Sequence, residues 1–198
     1  MALLFTILAL IPFYLLGAFP SGYLIAKRHN VDITKLGSGN IGATNVTRIL
    51  GKKAGLITLL LDISKGFLAT IIAYFITSGD PNFTAFAGLA SILGHTISIP
   101  KKLPAGKGVA TTAGVFLFLS PLSLLIALLV FALFFAWQKI VSLASLTATF
   151  TLPLTTILSN QGSSVIFVSI FASLMIFFKH RQNIERYIKG KEKKFSLK

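Results

Sequence analysis

Residues 54–77 read AGLITLLLDISKGFLATIIAYFIT, an apolar stretch long enough to cross a hydrocarbon layer of about 30 Å as a helix. Asp62 and Lys65 are its only charged residues, and they lie three positions apart. One unpaired charge near the middle of a bilayer costs about 2.5–3.5 kcal/mol on the insertion scale, so pairing or access to water must offset that cost. The stretch predicts a membrane helix with an intramembrane polar pair, which serves either as a structural ion pair or as a pair directed at a ligand.

Six more apolar stretches accompany this one along the chain. They predict helices at about residues 3–26, 82–99, 108–120, 121–137, 140–158 and 162–179, with breaks at Gly79-Asp80-Pro81, Ser120-Pro121 and Asn160-Gln161-Gly162. The middle break divides an apolar stretch of thirty residues, 108–137, where the proline favours a hairpin of two helices over one long helix. The predicted fold class is all-α: a polytopic membrane helical bundle of about seven transmembrane helices, forming a single domain over residues 1–198.

The basic residues alternate between the two sides of the predicted bundle. Of nineteen Lys and Arg residues, all but Lys65 lie in 27–53, in 100–107, in 138–139 or in the tail from Lys179, and the three intervening turns carry none. The positive-inside rule therefore places the N-terminus outside, the C-terminus and the basic loops in the cytoplasm, and requires an odd number of spans. The net charge of +14 belongs to the membrane surface in this interpretation, and we expect no nucleic-acid partner. The polybasic tail after Tyr187 is expected to be a solvated end that also contacts anionic lipid, with a specific docking site as the alternative.

The composition excludes several kinds of chemistry. The chain has no cysteine, three histidines and five acidic residues. Without thiols there is no disulfide framework, thiol nucleophile or thiolate metal site. Three histidines without a carboxylate or thiol cluster do not indicate zinc, and neither a G-x-S-x-G motif nor a carboxylate-based triad is expected. We expect no metal and no cofactor.

The first predicted cytoplasmic loop contains a glycine-rich segment, GSGNIGATN at residues 37–45, followed by Arg48. Glycines allow backbone N–H groups to approach a ligand closely, and Ser, Thr and Asn are common N-cap residues. A helix beginning near Ala43 would point its positive end at the same place, and the Arg48 guanidinium has a planar shape suited to phosphate. The segment predicts an anion site, and a flexible turn with its caps is the alternative.

The second predicted cytoplasmic loop contains PAGKGVAT at residues 104–111 and leads directly into a helix. Lys107 lies between two glycines at a helix N-terminus, which also resembles a phosphate site. The loop is not a Walker A motif, because Lys101 stands at the place of its first glycine and Gly108 replaces Ser or Thr. Hydrolysis of ATP or GTP is therefore not expected, and a basic juxtamembrane turn is the alternative.

Five polar residues near span ends are further candidates. His95 follows Gly94 at the end of the third span, and Ser142 and Ser145 share one face of the sixth span. His180 and Asn183 lie three residues apart at the start of the tail, and therefore on one helical face. Each has an ordinary structural alternative: a helix-end hydrogen bonder for His95, backbone bonding or packing for the serines, and an interfacial anchor for the tail pair.

These segments together resemble the bacterial acyl-phosphate:glycerol-3-phosphate acyltransferase family. The matching pieces occur in family order along nearly the whole chain: Gly37–Asn45 with Arg48, Leu60–Asp62 through Lys65-Gly66, Gly94-His95 followed by Gly106–Thr111, Val141–Leu146, and His180–Ile184. The chain departs from the family pattern at Ile97–Pro100 and at Leu103-Pro104-Ala105, where members typically carry Phe-Pro or Tyr-Pro and a Lys-Gly-Gly-Lys-Gly run. The lysine between glycines is present.

The resemblance implies an integral membrane enzyme of phospholipid biosynthesis in the bacterial cell inner membrane, with its active site on the cytoplasmic side. It would transfer an acyl group from acyl phosphate to the sn-1 hydroxyl of glycerol 3-phosphate, giving 1-acyl-glycerol 3-phosphate and phosphate. The resemblance implies phosphate contacts from Ser38, Gly39, Asn40, Gly42, Thr44, Asn45, Gly106, Lys107 and Gly108, and glycerol 3-phosphate contacts from Arg48, Ser142, Ser145, His180 and Asn183, with His95 fixing a loop. The implied catalytic set is His180, Ser145, Lys107 and Arg48, and the general base is either His180 or a phosphate oxygen of a substrate.

Three other functions compete with this interpretation. A membrane carrier or channel for a phosphorylated metabolite would use the same basic loops, but it predicts polar residues that continue to the outer side. A non-enzymatic lipid-binding scaffold would not require two glycine-rich loops. The acyl-CoA-dependent acyltransferases place an acid five residues after a histidine, and here only His180 is followed at that distance by one, Glu185. The expected partners are the two substrates and the lipid bilayer, with the protein as a monomer.

Overall fold

The computed structural model describes residues 2–97 and 104–195, and the regular secondary structure in this part of the chain is all helical. A 3-10 turn, Ile33–Lys35, separates the second helix from the third. The α-helices are α1 Ala2–Ala18, α2 Ser21–Arg28, α3 Ala43–Leu50, α4 Lys52–Ile76, α5 Pro81–Thr96, α6 Val109–Leu119, α7 Pro121–Gln138, α8 Val141–Leu158, α9 Ser163–Lys179 and α10 Arg181–Ile188. The end of the predicted helix 82–99, the basic residues Lys101, Lys102 and Lys198, and Leu103 of the altered second loop lie outside the described residues.

In the described part of the chain, four helical segments are long and apolar enough to cross a membrane: Leu4–Arg28, Lys52–Ile76, Pro121–Gln138 and Val141–Leu158. Helices α9 and α10 give a fifth when they are taken together across their 53° bend, and Val109–Leu119 is apolar but shorter. The predicted all-helical membrane architecture is confirmed, and so are the three predicted breaks, which separate α4 from α5, α6 from α7 and α8 from α9. The count of seven spans remains a prediction.

The predicted first helix, 3–26, is wrong as a continuous helix, because the chain breaks at Phe19-Pro20 between α1 and α2. Proline has no N–H to donate and its ring clashes with the carbonyl one turn earlier. Pro12 and Pro153 nevertheless lie inside helices. At Pro20 the break is stabilised from outside, since Lys65 Nζ donates to the Phe19 carbonyl at 3.1 Å.

Small residues let the helices approach closely in two reciprocal pairs. In α1 and α5, a Cβ on Gly17 would come within 2.0 Å of the Ser91 carbonyl oxygen, and a Cβ on Gly94 within 2.0 Å of the Tyr14 carbonyl oxygen. In α4 and α6, a Cβ on Gly66 would lie 2.1 Å from the Thr111 carbonyl oxygen. Such contacts are a common basis of helix association in membranes, where apolar burial alone gives little preference. They hold α5 against α1 and α6 against α4.

Large apolar side chains face outward, as expected for a surface in contact with lipid. Leu158 is 84% exposed and Trp137 is 73% exposed, whereas Ile92, Val115 and Phe116 are fully buried between the helices. In water such an outer surface would be a large apolar patch, and monomeric soluble proteins rarely expose one.

The first loop forms a small core of its own. Ile33, Ile41 and Val46 are buried against Ala26 of α2 and Ala54 of α4. This packing anchors both ends of the glycine-rich segment and holds α3 against α4. The alternative of a flexible turn does not describe this segment.

Candidate functional site

A cavity of about 330 Å³ lies where both glycine-containing loops, the start of α8 and the junction of α9 with α10 meet. The structure thus brings together segments that are far apart in sequence. Of the residues predicted for the site, those lining the cavity are Ser38, Asn40, Gly42, Thr44, Asn45, Arg48, Asp62, His95, Lys107, Gly108, Ser142, Ser145, His180 and Asn183. Gly39, Gly106 and Lys65 do not line it and support residues that do.

The buried side chain of Asn45 organises the glycine-rich segment. Its Oδ1 accepts a hydrogen bond from the Ser38 backbone N–H at 2.9 Å, and its Nδ2 donates to the carbonyls of Leu36 at 3.0 Å and Asn40 at 2.9 Å. A Cβ on Gly37, which has φ +63°, would lie 2.1 Å from Asn45 Oδ1, so glycine is required there. The Asn45 amide therefore shapes the loop, and its bonding capacity is used within the loop itself.

Three helices begin at the cavity. Their first turns contribute Gly42, Ala43 and Thr44 of α3, Gly108, Val109 and Ala110 of α6, and Val141 and Ser142 of α8. The first N–H groups of a helix have no partner within the helix, and the helix dipole adds positive potential at the same end. Several N-termini around one cavity make it a strong anion site, independent of any charged side chain.

Basic side chains add to this potential. Arg48 lines the cavity and has no hydrogen-bond or ion-pair partner among the described residues. Lys107 Nζ donates to Asn183 Oδ1. Burial, together with the nearby Arg186 and Arg48, lowers the pKa of Lys107 to about 8, even though Glu192 acts in the opposite direction. Near neutral pH Lys107 is therefore mainly charged, in a cavity whose donors favour an anion.

His180 and Ser145 present polar atoms that the protein itself does not use. His180 Nδ1 lies 2.8 Å from the Ile176 carbonyl oxygen, which can only accept, so Nδ1 carries a proton. In the neutral ring Nε2 then keeps its lone pair, and it has no hydrogen-bond partner in the described part of the chain. The Ser145 hydroxyl is likewise unbonded among the described residues, although Ser145 is buried at the cavity wall. An acceptor nitrogen and a free hydroxyl in one anion site can orient and deprotonate a substrate alcohol.

Below the cavity lies the intramembrane polar pair, and both of its members are bonded. Lys65 Nζ lies 2.9 Å from Asp62 Oδ1, with the two side chains 4% and 3% exposed. Ser21 Oγ also donates to Asp62 Oδ1, which ties α2 to α4. His95 Nδ1 is 3.7 Å from the same oxygen and makes no hydrogen bond. Asp62 and His95 line the cavity floor, whereas Lys65 points to the chain break at Phe19.

His95 also supports the second loop. The Gly106 N–H donates to the His95 carbonyl at 2.9 Å, and a Cβ on Gly106 would lie 2.0 Å from the ring nitrogen Nε2. Gly108 has φ +90° and is the N-cap of α6. The two glycines thus let the chain pass over the imidazole ring and turn into the helix with Lys107 between them.

The C-terminal tail is where sequence reasoning fell short. The expectation of a solvated end is wrong for Glu192, whose side chain is 9% exposed and bonds to Ser142, Asn183 and Arg186. Arg186 and Glu192 line the cavity and were not predicted. An acid within an otherwise basic tail was the available signal, but its partners come from distant segments.

An apolar hollow adjoins the polar cavity. Its lining comes from α6, α7 and α8, and Val109 and Phe131 line both spaces. The lining residues of the hollow are Val109, Thr112, Ala113, Leu124, Ala127, Leu128, Phe131, Ala148, Thr149 and Leu152. A polar cavity that shares two lining residues with an apolar hollow suits a ligand with an anionic head next to an apolar chain.

Known proteins resemble this chain along nearly its whole length. Residues 7–190 match the family model described as glycerol-3-phosphate acyltransferase. A glycerol-3-phosphate acyltransferase of Aquifex aeolicus (strain VF5) is 43% identical over 182 residues, covering 92% of this chain and 95% of its own. One from Endomicrobium trichonymphae is 43% identical over 196 residues, covering 98% of both chains. The crystal structure of PlsY (YgiH), an integral membrane glycerol 3-phosphate acyltransferase, in its glycerol 3-phosphate form, is similar with a TM-score of 0.90 at 41% identity, covering 96% of both chains. Its lysophosphatidic acid form gives a TM-score of 0.88.

Proposed function

Because the chain belongs to the glycerol-3-phosphate acyltransferase family, we propose that it transfers the acyl group of an acyl phosphate to the sn-1 hydroxyl of glycerol 3-phosphate. The products are 1-acyl-glycerol 3-phosphate and inorganic phosphate. Family membership makes the protein an acyltransferase, which decides against the carrier or channel considered from the sequence. The choice of acyl phosphate as the donor and of the sn-1 hydroxyl as the acceptor goes beyond family membership.

The observation that carries the proposal is the joint arrangement of the cavity and the hollow. The cavity combines helix N-termini with Arg48 and Lys107, which suits two phosphate groups held side by side. The adjoining hollow between α6, α7 and α8 suits the apolar chain of the donor. An acyl phosphate has both features in one molecule, with the reacting carbonyl at their junction.

We assign the binding roles by position. The Ser38 and Thr44 hydroxyls of the first loop, with Asn40 and Gly42 beside them, and the start of α6 at Gly108 bind the donor phosphate. Arg48 and Lys107 bind the phosphate of glycerol 3-phosphate, with Ser145 and Asn183 beside them. Ser142 and Asn45 act mainly by fixing their neighbours, since their side chains bond to Glu192 and to the first loop.

The chemical step needs no covalent enzyme intermediate. The sn-1 oxygen attacks the acyl carbon and forms the new ester bond, while the bond between that carbon and the phosphate oxygen breaks and phosphate leaves with the electron pair. The hydroxyl proton passes to His180 Nε2 or to a phosphate oxygen of a substrate. Phosphate is already a good leaving group, so alignment and stabilisation of negative charge by Lys107, Arg48 and the helix N-termini supply most of the catalysis.

The same proposal includes the topology. We place seven spans in the bacterial inner membrane, with α1 and α2 together as the first and α4 to α9 as the others, the N-terminus outside and the C-terminus cytoplasmic. The segments lining the cavity all fall on the cytoplasmic side of this arrangement, whereas the turns at Gly79, Ser120 and Asn160 do not line it. We further propose that residues 1–198 act as one domain and as a monomer.

The topology can be tested by labelling, because the chain has no native cysteine. Single variants Asn82→Cys, Leu122→Cys and Ser163→Cys should react with a membrane-impermeant maleimide on intact spheroplasts, and Lys35→Cys only after permeabilisation. Protection of Leu122→Cys would show that α6 and α7 do not both cross the membrane, and the count of seven would then be wrong.

The activity test uses purified protein in detergent with labelled glycerol 3-phosphate. Palmitoyl phosphate should give a labelled lysophosphatidic acid, whose regiochemistry is read by NMR, and palmitoyl-CoA should give none. Product from palmitoyl-CoA alone would refute the donor assignment. Acylation at the other hydroxyl would refute the sn-1 assignment and leave the donor assignment intact.

A further inference from the structure

The chain after α10 returns to the cavity. It turns at Gly190, which has φ +66°, and the Lys191 N–H donates to the Arg186 carbonyl at 2.7 Å. The Phe195 N–H donates to the Lys139 carbonyl at 2.7 Å, and the Phe195 ring packs edge-on against Phe135 of α7. Residues 190–195, here named the C-terminal strap, are thus attached at both ends and cross the cavity between them, where Lys191, Glu192 and Lys193 contribute to its lining.

Glu192 is the member of the strap that points into the site. Its Oε1 accepts hydrogen bonds from Ser142 Oγ at 2.7 Å and from Asn183 Nδ2. Its Oε2 accepts one from Arg186 Nε at 2.8 Å. Burial raises the pKa of the Glu192 carboxyl, but these three hydrogen bonds lower it more, so the pKa stays below its ordinary value and the group is an anion at neutral pH.

These bonds also fix the amide of Asn183. Since Nδ2 donates to Glu192, Oδ1 must face the other way, and there it accepts from Lys107 Nζ. A rotated amide would turn its N–H groups towards the ammonium, which has only donors. The orientation of Asn183, and with it the position of Lys107, therefore depends on Glu192.

We propose that Glu192 is a positioning residue of the active site: through Asn183 it holds the Lys107 ammonium in place to bind substrate phosphate, while the strap closes the cavity around it. The inference rests on the proposed function in one respect, that Lys107 contacts a substrate phosphate. The C-terminal tail then contributes to the active site, whereas the basic composition of the tail favoured contact with lipid.

The charged groups that face Lys107 determine how its pKa responds when Glu192 is replaced. They are Arg48 on α3, Arg186 on α10, His180 between α9 and α10, and Glu192 on the strap. Glu192 is the anion of this group and favours the charged form of Lys107. Removal of its charge lowers the pKa of Lys107, so the lysine loses its proton at a lower pH.

The test compares Glu192→Gln and Glu192→Asp with the wild-type enzyme in the palmitoyl phosphate assay. We expect Glu192→Gln to lower kcat/KM for glycerol 3-phosphate by roughly 10- to 100-fold, as when a charge-assisted hydrogen bond is lost, mainly through a higher KM. Its loss of kcat/KM on the alkaline side should also begin at a lower pH. Glu192→Asp keeps the charge and should keep the wild-type pH profile. Glu185→Gln is the matched control, because Glu185 is exposed and, among the described residues, bonds only to Lys189.

A second measurement needs no substrate. The rate at which acetic anhydride acetylates Lys107, followed by mass spectrometry as a function of pH, should have a lower midpoint in Glu192→Gln than in the wild type. An unchanged midpoint together with an unchanged pH profile would overturn the proposal, as would tighter binding of glycerol 3-phosphate by Glu192→Gln. If the wild type makes no product from palmitoyl phosphate, the proposed function fails, and the labelling still decides whether Glu192 acts on Lys107.

Discussion

The molecule contains two neighbouring polar clusters, and they differ in how far their hydrogen-bonding capacity is used. In the lower cluster Asp62 is bonded to Lys65 and Ser21, and Lys65 also bonds to the Phe19 carbonyl. In the cavity, by contrast, Arg48, Ser145 and His180 Nε2 have no partner among the described residues. Buried polar groups are normally satisfied within the protein. The comparison indicates that the lower cluster holds the fold together and that the cavity is built for ligands.

His95 lies between the two clusters. Its Nδ1 is unbonded 3.7 Å from Asp62, while its ring and carbonyl support Gly106 of the second loop. It therefore connects the structural pair to the segment that carries Lys107. Variants of the lower cluster should therefore lose mainly stability, and variants of the cavity should lose mainly turnover.

The largest effect is expected from breaking the lower pair. Asp62→Asn leaves the Lys65 ammonium buried without a counter-charge, and loss of one partner of a buried pair costs about 3–5 kcal/mol. For a chain of this size the apparent Tm in detergent should fall by roughly 10 °C. The double variant Asp62→Asn with Lys65→Met should recover part of the loss. A single variant that keeps its Tm but loses turnover would place Asp62 in the catalytic site.

The second-largest effect is expected from removal of the positively charged side chains of the cavity. Lys107→Ala and Arg48→Ala should each lower kcat/KM by about 100- to 1000-fold, the range seen when one preorganised donor to developing charge is removed. The apparent Tm of Arg48→Ala should change little, because Arg48 has no partner among the described residues. Lys35→Ala is the control, since the Lys35 side chain is 82% exposed and its one ion pair within residues 2–97 and 104–195 is with Asp32. Normal turnover in both site variants would refute their assignment to substrate phosphate.

Much of this comparison could be predicted from the sequence, because the signals involved are local. Apolar stretches, turn residues and the glycines around Lys107 and before Arg48 identify the helices and both loops, and the structure brings those loops to one cavity. The break at Pro20 could not be distinguished from Pro12 or Pro153, since it depends on Lys65 from another helix. Glu192 was missed for the same reason: Ser142, one of its partners, lies 50 residues away in sequence.

A smaller effect is expected from pH. Burial lowers the pKa of Lys107 to about 8, so the free enzyme loses the lysine charge as pH rises through that value. We expect kcat/KM to be constant below it and to fall by up to about tenfold per pH unit above it, since kcat/KM reports groups of the free enzyme. Lys107→Arg, whose side chain stays charged, should remove this decline. A decline that persists in Lys107→Arg would have to come from another group.

The finest distinction lies between two serines one turn apart at the start of α8. Ser142 Oγ already donates to Glu192, whereas Ser145 Oγ has no partner among the described residues although it is buried at the cavity wall. If the free hydroxyl bonds to substrate, Ser145→Ala should lower kcat/KM by about tenfold, the equivalent of one hydrogen bond to a charged group. Ser142→Ala removes one of three donors to Glu192 but leaves its charge, so its effect should be smaller, and the alkaline decline of kcat/KM should move towards lower pH by less than in Glu192→Gln. Equal losses in the two variants, with no shift in either profile, would mean that unused bonding capacity does not identify the groups that meet substrate.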